Sequence, residues 1–204
     1  MEFGDFQTPL ILAQKIISKI VNLDDYEKII EPTCGIGTFI IACLTQNINK
    51  SKIEGWEINP NHVTSANQII SNTVNEKVEI VKEQDFFEID WVNFKKENSN
   101  KILFLGNPPW ITNSELSKLF SNNLPDKCNF QKFKGIEALT GKSNFDISEW
   151  MIIQLLEYIS GSSSAIAFLI KTSVARKLFK YINDNQLLVS SISINLIDAK
   201  NISM

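Results

Sequence analysis

Short apolar runs alternate along the chain with longer segments whose apolar residues recur at helical spacing. The runs are rich in Val, Ile, Leu and Phe, as buried strands are. They cover residues 28–31, 53–58, 78–81, 102–105, 165–170 and 188–197. The helical segments cover residues 10–21, 40–45, 60–73, 144–159 and 172–181, and residues 90–100 are expected to form a polar connection. This alternation predicts an α/β domain with a mostly parallel sheet and helices on both of its faces.

Two of the predicted helices have a polar residue followed by proline at their start. Thr8 is expected to be the N-cap of the first helix and Pro9 its first residue. Asn59 and Pro60 are expected to begin the third helix in the same way. Proline suits this position because its φ angle is helical and the first N–H of a helix has no partner within the helix.

Composition limits the class of protein. The chain has 204 residues and a mass of 23.1 kDa, which suits one domain with a sizeable core. It has no apolar run of roughly 18 residues that would span a membrane. Its first five residues include two acidic residues and no basic one, whereas a signal peptide begins with basic residues. The three cysteines, Cys34, Cys43 and Cys128, form no C-x-x-C pair. Their spacing disfavours a disulfide framework or a zinc site and favours a reducing cytoplasm.

Charge and histidine content narrow the possible functions further. The net charge is −3, whereas a protein that binds nucleic acid unaided usually carries a strong positive excess. Any contact with DNA must therefore come from a local patch or from a part outside this chain. The one histidine, His62, falls in a predicted helix far from any suitable nucleophile, and we interpret it as a surface residue.

The most informative stretch is the loop that follows the buried run 102–105. Gly106 frees the backbone there, and Pro108 and Pro109 then fix φ and supply no N–H. The result is a stiff loop at the carboxyl end of a strand, where open α/β sheets place their ligands.

The groups that this loop offers suit a planar amine. The side-chain oxygen of Asn107 and the carbonyl of Pro108 can each accept one N–H of an exocyclic amine, and Trp110 can stack on the ring. Accepting both N–H groups favours a more tetrahedral nitrogen, whose lone pair then points at an electrophile. An ordinary Pro-Pro turn with a structural Trp is the alternative.

Three further strand ends carry residues suited to a nucleoside. The turn at 31–37 contains Gly35 and Gly37, which allow a ligand to approach the backbone closely before the next helix. Glu57 ends the second strand, 20 residues after Gly37, where a carboxylate can accept from both hydroxyls of a ribose. Asp85 follows the third strand and can accept from an adenine amine while Phe86 packs on the ring. A capping Asp with a core Phe is an equally good interpretation of that pair.

The segment 111–144 is long for a connection and locally basic by two charges. Its lysines are interleaved with phenylalanines, a composition that suits contact with a displaced nucleic-acid strand, although a solvated surface excursion fits nearly as well. The charged and aromatic residues concerned are Lys118, Lys127, Lys132, Lys134, Lys142, Glu115, Asp126, Glu137, Phe120, Phe130 and Phe133.

Taken together, these stretches resemble the N6-adenine DNA methyltransferases of restriction–modification systems, in the group whose cofactor motifs precede the catalytic motif. The stretches that carry the resemblance are Gln7-Thr8-Pro9, Glu31-Pro32-Thr33-Cys34-Gly35-Ile36-Gly37, Glu57, Asp85-Phe86, Asn107-Pro108-Pro109-Trp110, Asn144-Phe145-Asp146 and 165–171. The resemblance covers nearly the whole chain, and its most specific part is the Asn-Pro-Pro-Trp motif.

The resemblance implies a Rossmann-like methyltransferase fold, with a seven-stranded sheet whose last strand is antiparallel. It implies that S-adenosyl-L-methionine donates a methyl group directly to the N6 amine of a flipped-out adenine in double-stranded DNA, without a metal. The implied catalytic residues are Asn107, Pro108, Pro109 and Trp110. The implied cofactor-binding residues are Thr8, Pro9, Glu31, Pro32, Thr33, Cys34, Gly35, Gly37, Glu57, Ile58, Asp85, Phe86 and Asn107.

The family also implies parts that this sequence lacks. Residues 1–204 are expected to be one catalytic domain, divided into an N-terminal helix (8–22), a cofactor half (23–100), the catalytic loop with its insertion (101–145) and a C-terminal half (146–204). The last hairpin of the sheet looks incomplete, and no target-recognition domain follows. We therefore expect the chain to need a separate recognition domain or subunit, and to bind the cofactor better than DNA.

Two other functions remain open at this point. Methyltransferases that act on a glutamine amide or on a guanine amine of ribosomal RNA share an Asn-Pro-Pro-aromatic loop. The glutamine enzymes usually have Tyr in place of Trp110 and a separate N-terminal helical domain. A module that keeps the cofactor pocket without activity of its own is the second alternative.

Overall fold

The computed structural model describes residues 7–20, 22–98, 101–110 and 147–197. Within them, five parallel strands form one sheet in the order β3-β2-β1-β4-β5. The strands are β1 (Lys28–Glu31), β2 (Ile53–Glu57), β3 (Val81–Glu83), β4 (Ile102–Gly106) and β5 (Ala165–Phe168). The helices are α1 (Leu10–Ile17), α2 (Thr38–Leu44), α3 (Pro60–Val74), α4 (Trp91–Glu97), α5 (Ile147–Ile159) and α6 (Thr172–Asp184).

The sheet separates two layers of helices, because neighbouring residues of a strand point to opposite faces. On one face, Ile29 of β1 and Leu103 of β4 join a buried cluster with α1, α2 and α3. On the other face, Ile30 and Phe104 join a second cluster with α4, α5 and α6. The predicted parallel α/β sheet with helices on both faces is therefore confirmed.

The chain reverses its direction of travel across the sheet at β1. From β1 it proceeds outward to β2 and β3, then crosses to β4 on the other side of β1 and continues to β5. In open parallel sheets, ligands bind in the crevice outside the carboxyl ends of the strands at such a reversal. Here that crevice begins at Glu31 and Gly106, the last residues of β1 and β4.

The first helix begins later than its sequence predicted. Thr8 is not the N-cap, because Pro9 occupies that position and Leu10 is the first helical residue. The side chain of Thr8 is instead buried and hydrogen-bonded to Asn107. The helix also ends at Ile17 rather than at residue 21, whereas the prediction for α3 is correct, since Asn59 caps it and Pro60 is its first residue.

The third strand begins at Val81 rather than at residue 78, because side chains of α3 hold the residues before it. Ser71 Oγ accepts a hydrogen bond from the N–H of Val78 at 3.0 Å. Asn67 Oδ1 accepts from the N–H of Ile80 at 3.0 Å. These bonds join residues distant in sequence, and a local apolar pattern does not contain them.

The predicted polar connection 90–100 is wrong over most of its length, because residues 91–97 form α4. Asp90 Oδ1 caps this helix by accepting from the N–H groups of Val92 and Asn93, both at 3.1 Å. Trp91 and Phe94, one turn apart, pack against the cluster beneath the sheet. Two inward-facing apolar residues are too few to reveal a helix from periodicity alone.

The predicted strand 188–197 is also wrong, because this segment has no regular secondary structure. None of the five described strands pairs with it, and its apolar side chains at Leu188, Ile192, Ile194 and Leu196 are exposed. The described sheet therefore has five strands rather than seven, and an antiparallel strand is not among them. The other strands and helices begin and end within three residues of their predicted bounds.

The helices of the described part of the chain are all too short or too polar to cross a membrane.

Candidate functional site

A cavity of about 550 Å³ opens at the crevice where the chain reverses direction. Its volume lies in the range of sites for small molecules and cofactors. It is lined by Gln7, Thr8, Glu31, Pro32, Thr33, Cys34, Gly35, Thr38, Phe39, Glu57, Ile58, Asn59, His62, Gln84, Asp85, Phe86, Asn107, Pro108, Pro109 and Trp110. Every residue predicted for the site lines this cavity except Pro9 and Gly37. The roles assigned to the individual residues remain predictions.

Gly37 lies behind the cavity wall, where two helices meet. It is the N-cap of α2, with φ at +82°. A Cβ atom there would lie 3.1 Å from Ile70 Cδ1 and 3.7 Å from Ala66 Cβ, both on α3. Gly37 thus allows α2 and α3 to pack closely.

The Gly35 turn is fixed to the end of β2 by one carboxylate. Glu57 is buried, and its Oε2 accepts from the N–H of Gly35 at 2.9 Å. Its Oε1 accepts from the N–H of Asn59 at 2.9 Å. Each oxygen has a second lone pair, so the carboxylate still has acceptor capacity toward a ligand. Gly35 has a φ of +54°, which a side chain would strain.

Glu31 places a second carboxyl group in the same wall, and it is almost fully buried. Burial raises the pKa of Glu31 well above its ordinary value, and the negative charge of Glu57 raises it further, while a hydrogen bond from the backbone of Ile40 acts in the opposite direction. The Oε2 atom of Glu31 has no hydrogen-bond partner among the described residues. A buried acceptor without a partner is uncommon, and it suits a ligand that supplies a donor or a positive charge.

Asp85 and Phe86 combine the two roles that the sequence left open. Asp85 Oδ1 accepts from the N–H of Phe87 at 2.8 Å, so it caps the short turn that follows β3. Burial raises its pKa, and the charge of Glu88 adds to this effect. Phe86 is a core residue whose ring centroid lies 5.1 Å from that of Trp91, yet both Asp85 and Phe86 also line the cavity.

The Asn107 loop closes the opposite side of the cavity. Gly106 has a φ of +141°, and a Cβ atom there would lie 3.2 Å from Glu31 Cγ. Asn107 Nδ2 donates to Thr8 Oγ1 at 3.1 Å, and Asn107 Oδ1 is buried without a hydrogen-bond partner among the described residues. Trp110 has 42% of its surface exposed at the mouth, with Lys171 Nζ 5.8 Å from the centroid of its ring.

Sequence reasoning missed several residues that line the cavity, His62 among them. The side chain of His62 is 23% exposed and lies inside the cavity, with Nδ1 3.9 Å from Glu57 Oε1. A usable signal was its position in the first turn of the helix that follows β2. The other missed residues are Gln7, Thr38, Phe39, Asn59 and Gln84.

Among the residues that the structure describes, no group of three or more His, Cys, Asp or Glu side chains is arranged to hold a metal ion. Cys34 and Cys43 are free thiols, and both are buried. Residues 111–146, which include the locally basic segment and Asn144-Phe145-Asp146, lie outside the described residues.

Comparison with solved structures identifies the class of the fold. A putative class I S-adenosylmethionine-dependent methyltransferase from Listeria monocytogenes superposes with a TM-score of 0.53 at 15% identity, over 90% of this chain and 54% of that one. A predicted N6-adenine-specific DNA methylase from Listeria monocytogenes str. 4b F2365 gives a TM-score of 0.52 at 11% identity, over 85% of this chain and 46% of that one. The fold is that of the S-adenosylmethionine-dependent methyltransferases.

Sequence comparison identifies the family within this class. Residues 1–194 match the family described as N-6 DNA Methylase, and the chain belongs to it. The chain is also 45% identical over 190 residues to the type II methyltransferase M.NspV of Nostoc sp. (strain ATCC 29411 / PCC 7524). That alignment covers 92% of this chain and 39% of the relative, so the chain spans about two fifths of the length of this relative.

Proposed function

We propose that this chain is the catalytic part of a DNA methyltransferase that transfers a methyl group from S-adenosyl-L-methionine to the N6 amine of adenine. The single observation that supports this most directly is the buried Oδ1 of Asn107, which has no hydrogen-bond partner in the described part of the chain, beside the partly exposed indole of Trp110. A planar base that carries an amine matches both groups. Membership of the N-6 DNA methylase family supports the same reaction.

The cavity fits the proposed cofactor in the chemistry of its donors and acceptors. Glu57 offers acceptors for ribose hydroxyls, and Asp85 and Phe86 offer an acceptor and a ring edge for adenine. Glu31 Oε2, for which the described residues supply no hydrogen-bond partner, suits an ammonium group, since a positive charge would also offset the repulsion between Glu31 and Glu57. S-adenosyl-L-methionine, when bound, supplies an electrophilic methyl group on a sulfonium.

The residues of the chain contribute position and charge complementarity. Asn107 Oδ1 and the carbonyl of Pro108 would accept the two N–H bonds of the target amine, which directs its lone pair away from the ring. Trp110 would stack on the extruded base and offset part of the cost of unstacking, roughly 1–3 kcal/mol. This assignment requires no covalent enzyme intermediate and no strong base.

The complete enzyme is proposed to include a DNA-recognition part beyond these residues. Two observations support this proposal. The net charge of −3 is unfavourable for binding a phosphate backbone, and the chain matches only 39% of a related type II methyltransferase. Duplex DNA is thus the proposed substrate, and the recognition part is a separate domain or subunit.

Calorimetric titration of S-adenosyl-L-methionine into the purified chain tests the cofactor site. We expect the wild-type chain to bind, and Glu57→Ala and Asp85→Ala to weaken binding at least tenfold, because each removes a carboxylate acceptor from the cavity. Glu79→Ala removes an exposed carboxylate from outside the cavity and should bind as the wild type does. Equal affinity in all four proteins would refute the assignment of this cavity.

Methyl transfer tests the substrate. The chain, alone and together with the remaining part of its enzyme, would be incubated with labelled cofactor and unmethylated genomic DNA, and the nucleosides would be analysed by mass spectrometry. We expect N6-methyladenine and its loss in Asn107→Ala. Methylated guanine in ribosomal RNA, or methylated glutamine in protein, would identify one of the other Asn-Pro-Pro-aromatic enzymes instead.

A further inference from the structure

We propose that Thr8 is a positioning residue that fixes the orientation of the Asn107 side-chain amide, an inference that rests on the proposed function. Asn107 Nδ2 donates to Thr8 Oγ1 at 3.1 Å, across 99 residues of sequence. Asn107 Oδ1 is buried in the cavity wall and has no hydrogen-bond partner among the residues that the structure describes. Thr8 was predicted to bind the cofactor, and it lines the cavity, where its hydroxyl also contacts the catalytic loop.

The orientation of an amide decides whether it accepts or donates. The oxygen and nitrogen of Asn107 have nearly the same shape, and a rotation of 180° exchanges them. With Nδ2 bonded to Thr8, the oxygen is presented as an acceptor. In the opposite orientation an NH2 group would face the N–H bonds of the target amine, and donor would meet donor. Because the Asn107 amide donates to Thr8 Oγ1 in the structure, it presents its oxygen to the cavity as the acceptor that can hold an amine.

Thr8 is itself held in place by the residues on either side of it. It is buried, and Pro9, with a φ of −58°, restricts it to extended geometry. Gln7 Oε1 accepts from the N–H of Ile36 at 3.5 Å, which ties the same segment to the glycine turn of the cavity. The Thr8 hydroxyl is thus held in a fixed position, and so is the Asn107 amide that donates to it.

Removing the Thr8 hydroxyl should have a different effect under each of two possible roles of this residue. If Thr8 mainly bound the cofactor, its loss would weaken cofactor affinity. If Thr8 positions Asn107, its loss leaves cofactor affinity almost unchanged and lowers the rate of methyl transfer. Thr8→Val keeps the shape of the side chain and removes the hydroxyl, and Thr8→Ser keeps the hydroxyl.

The first measurement is the NMR signal of the Asn107 side-chain amide in the full 204-residue chain labelled with 15N, assigned with Asn107→Asp. We expect the Nδ2 protons to shift in Thr8→Val toward the values of a solvated carboxamide, and to keep their wild-type shifts in Thr8→Ser. Thr73→Val removes an exposed hydroxyl from α3 and is the matched control. An unchanged Asn107 signal in Thr8→Val would overturn the proposal whether or not the chain methylates DNA.

The second measurement compares cofactor affinity with the rate of methyl transfer. In Thr8→Val we expect a dissociation constant for S-adenosyl-L-methionine within about twofold of the wild type, and a kcat lower by about tenfold, the effect of one ordinary hydrogen bond. Thr8→Ser should restore most of the rate. A tenfold loss of affinity with an unchanged kcat would assign the hydroxyl to the cofactor and refute the positioning role. A wild-type chain without any methyl transfer would count against the proposed function alone, because the NMR result stands independently.

Discussion

Glu31 shows how one buried carboxyl group links stability to ligand binding. Its pKa is raised well above the ordinary value of 4.5, chiefly by burial. An acid with a higher pKa in the folded state holds its proton more tightly there, so its contribution to stability is complete below about pH 4.5 and is lost as the pH rises through the folded-state pKa. Near neutral pH, an ionised Glu31 would be a buried charge beside Glu57, and this opposes folding.

We therefore predict that Glu31→Gln makes the chain more resistant to urea at pH 8 than the wild type, because the glutamine cannot ionise. The difference in free energy of unfolding between the two proteins should change by up to about 1.4 kcal/mol per pH unit within the window of titration. Glu79→Gln changes an exposed carboxyl group and serves as the control. A difference that stays constant between pH 5 and pH 8 would show that Glu31 does not titrate with a raised pKa.

The same substitution is predicted to weaken cofactor binding. Glutamine has no negative charge to offer an ammonium group, and it carries an NH2 group where the cofactor presents a donor. We expect at least a tenfold higher dissociation constant for S-adenosyl-L-methionine by calorimetry at pH 7.5. An unchanged constant would place the ammonium group elsewhere, and Glu31 would then have a structural role only.

At the scale of the residue, sequence reasoning succeeded where a short stretch carries its own constraints. Pro108 and Pro109 stiffen the Asn107 loop because proline fixes φ independently of the surrounding structure. The loop lies at the predicted site. Sequence reasoning failed where a side chain is directed by distant partners. Thr8 was predicted for the site, but as an N-cap and without its bond to Asn107, and the approach of His62 to Glu57 was not predicted. Their neighbours there are Asn107 and Glu57, which no pattern around Thr8 or His62 contains.

At the scale of the element, the edge strand β3 depends on one side chain of α3. Asn67 Oδ1 accepts from the N–H groups of Ile80 and Val81 at 3.0 and 2.9 Å, and its Nδ2 donates to the carbonyl of Val81 at 2.8 Å. We predict that Asn67→Ala lowers the free energy of unfolding by about 2–3 kcal/mol, since three hydrogen bonds are lost and their backbone partners are partly buried.

Hydrogen exchange shows which amides lose protection when Asn67→Ala lowers the free energy of unfolding. The amides of Ile80 and Val81 should exchange much faster in Asn67→Ala, while those of β1 and β4 change only as far as global stability does. Asn72→Ala alters an exposed position of the same helix and should leave both properties unchanged. Uniform acceleration at every amide would show that β3 is held by the sheet rather than by Asn67.

At the end of β4, the backbone geometry of residue 106 favours glycine over every other residue type. Gly106 has a φ of +141°, and a Cβ atom would meet Glu31 Cγ at 3.2 Å. We predict that Gly106→Ala destabilises the chain by about 1–3 kcal/mol and weakens cofactor binding, because it strains the backbone and pushes β4 from β1. In Gly161→Ala the φ is also positive, at +72°, but the nearest atom would be 3.7 Å away. A comparable loss of cofactor affinity in both variants would exclude a specific effect at the site.

Prediction at this scale was accurate for elements whose apolar residues repeat, and inaccurate for those fixed by pairing. β4 lies close to its predicted bounds because all of its residues are buried, and α3 because its Asn59–Pro60 start and its apolar repeat are both local signals. The run 188–197 has the composition of a strand, but a strand also needs a neighbour, and the described sheet supplies none. The small helix α4 was missed because only its two aromatic residues pack inward, which is too short a pattern to show helical periodicity.

At the scale of the whole molecule, a bound cofactor should stabilise the folded chain by mass action. At a concentration one hundred times its dissociation constant, a ligand that binds only the folded state adds about 2.7 kcal/mol. For a chain of this size we expect the midpoint of thermal unfolding to rise by roughly 5–11 °C. Duplex DNA alone should raise it by much less at physiological salt, because the net charge is −3. A larger shift with DNA than with the cofactor would contradict the proposed division between a catalytic part and a recognition part.

The order of the strands also affects how the chain folds while it is being synthesised. β1 ends at residue 31, and its partner β4 ends at residue 106. One edge of β1 therefore stays unpaired until 75 further residues have been translated. At ordinary rates of translation this takes about 4–15 s. During that time β1 can pair with β2, and β2 with β3, but β1 exposes the unpaired backbone edge where β4 will insert. The contact between Thr8 and Asn107 forms later still, so a ribosome that stalls before residue 107 leaves a half-sheet without a catalytic loop, which is a substrate for chaperones or proteases.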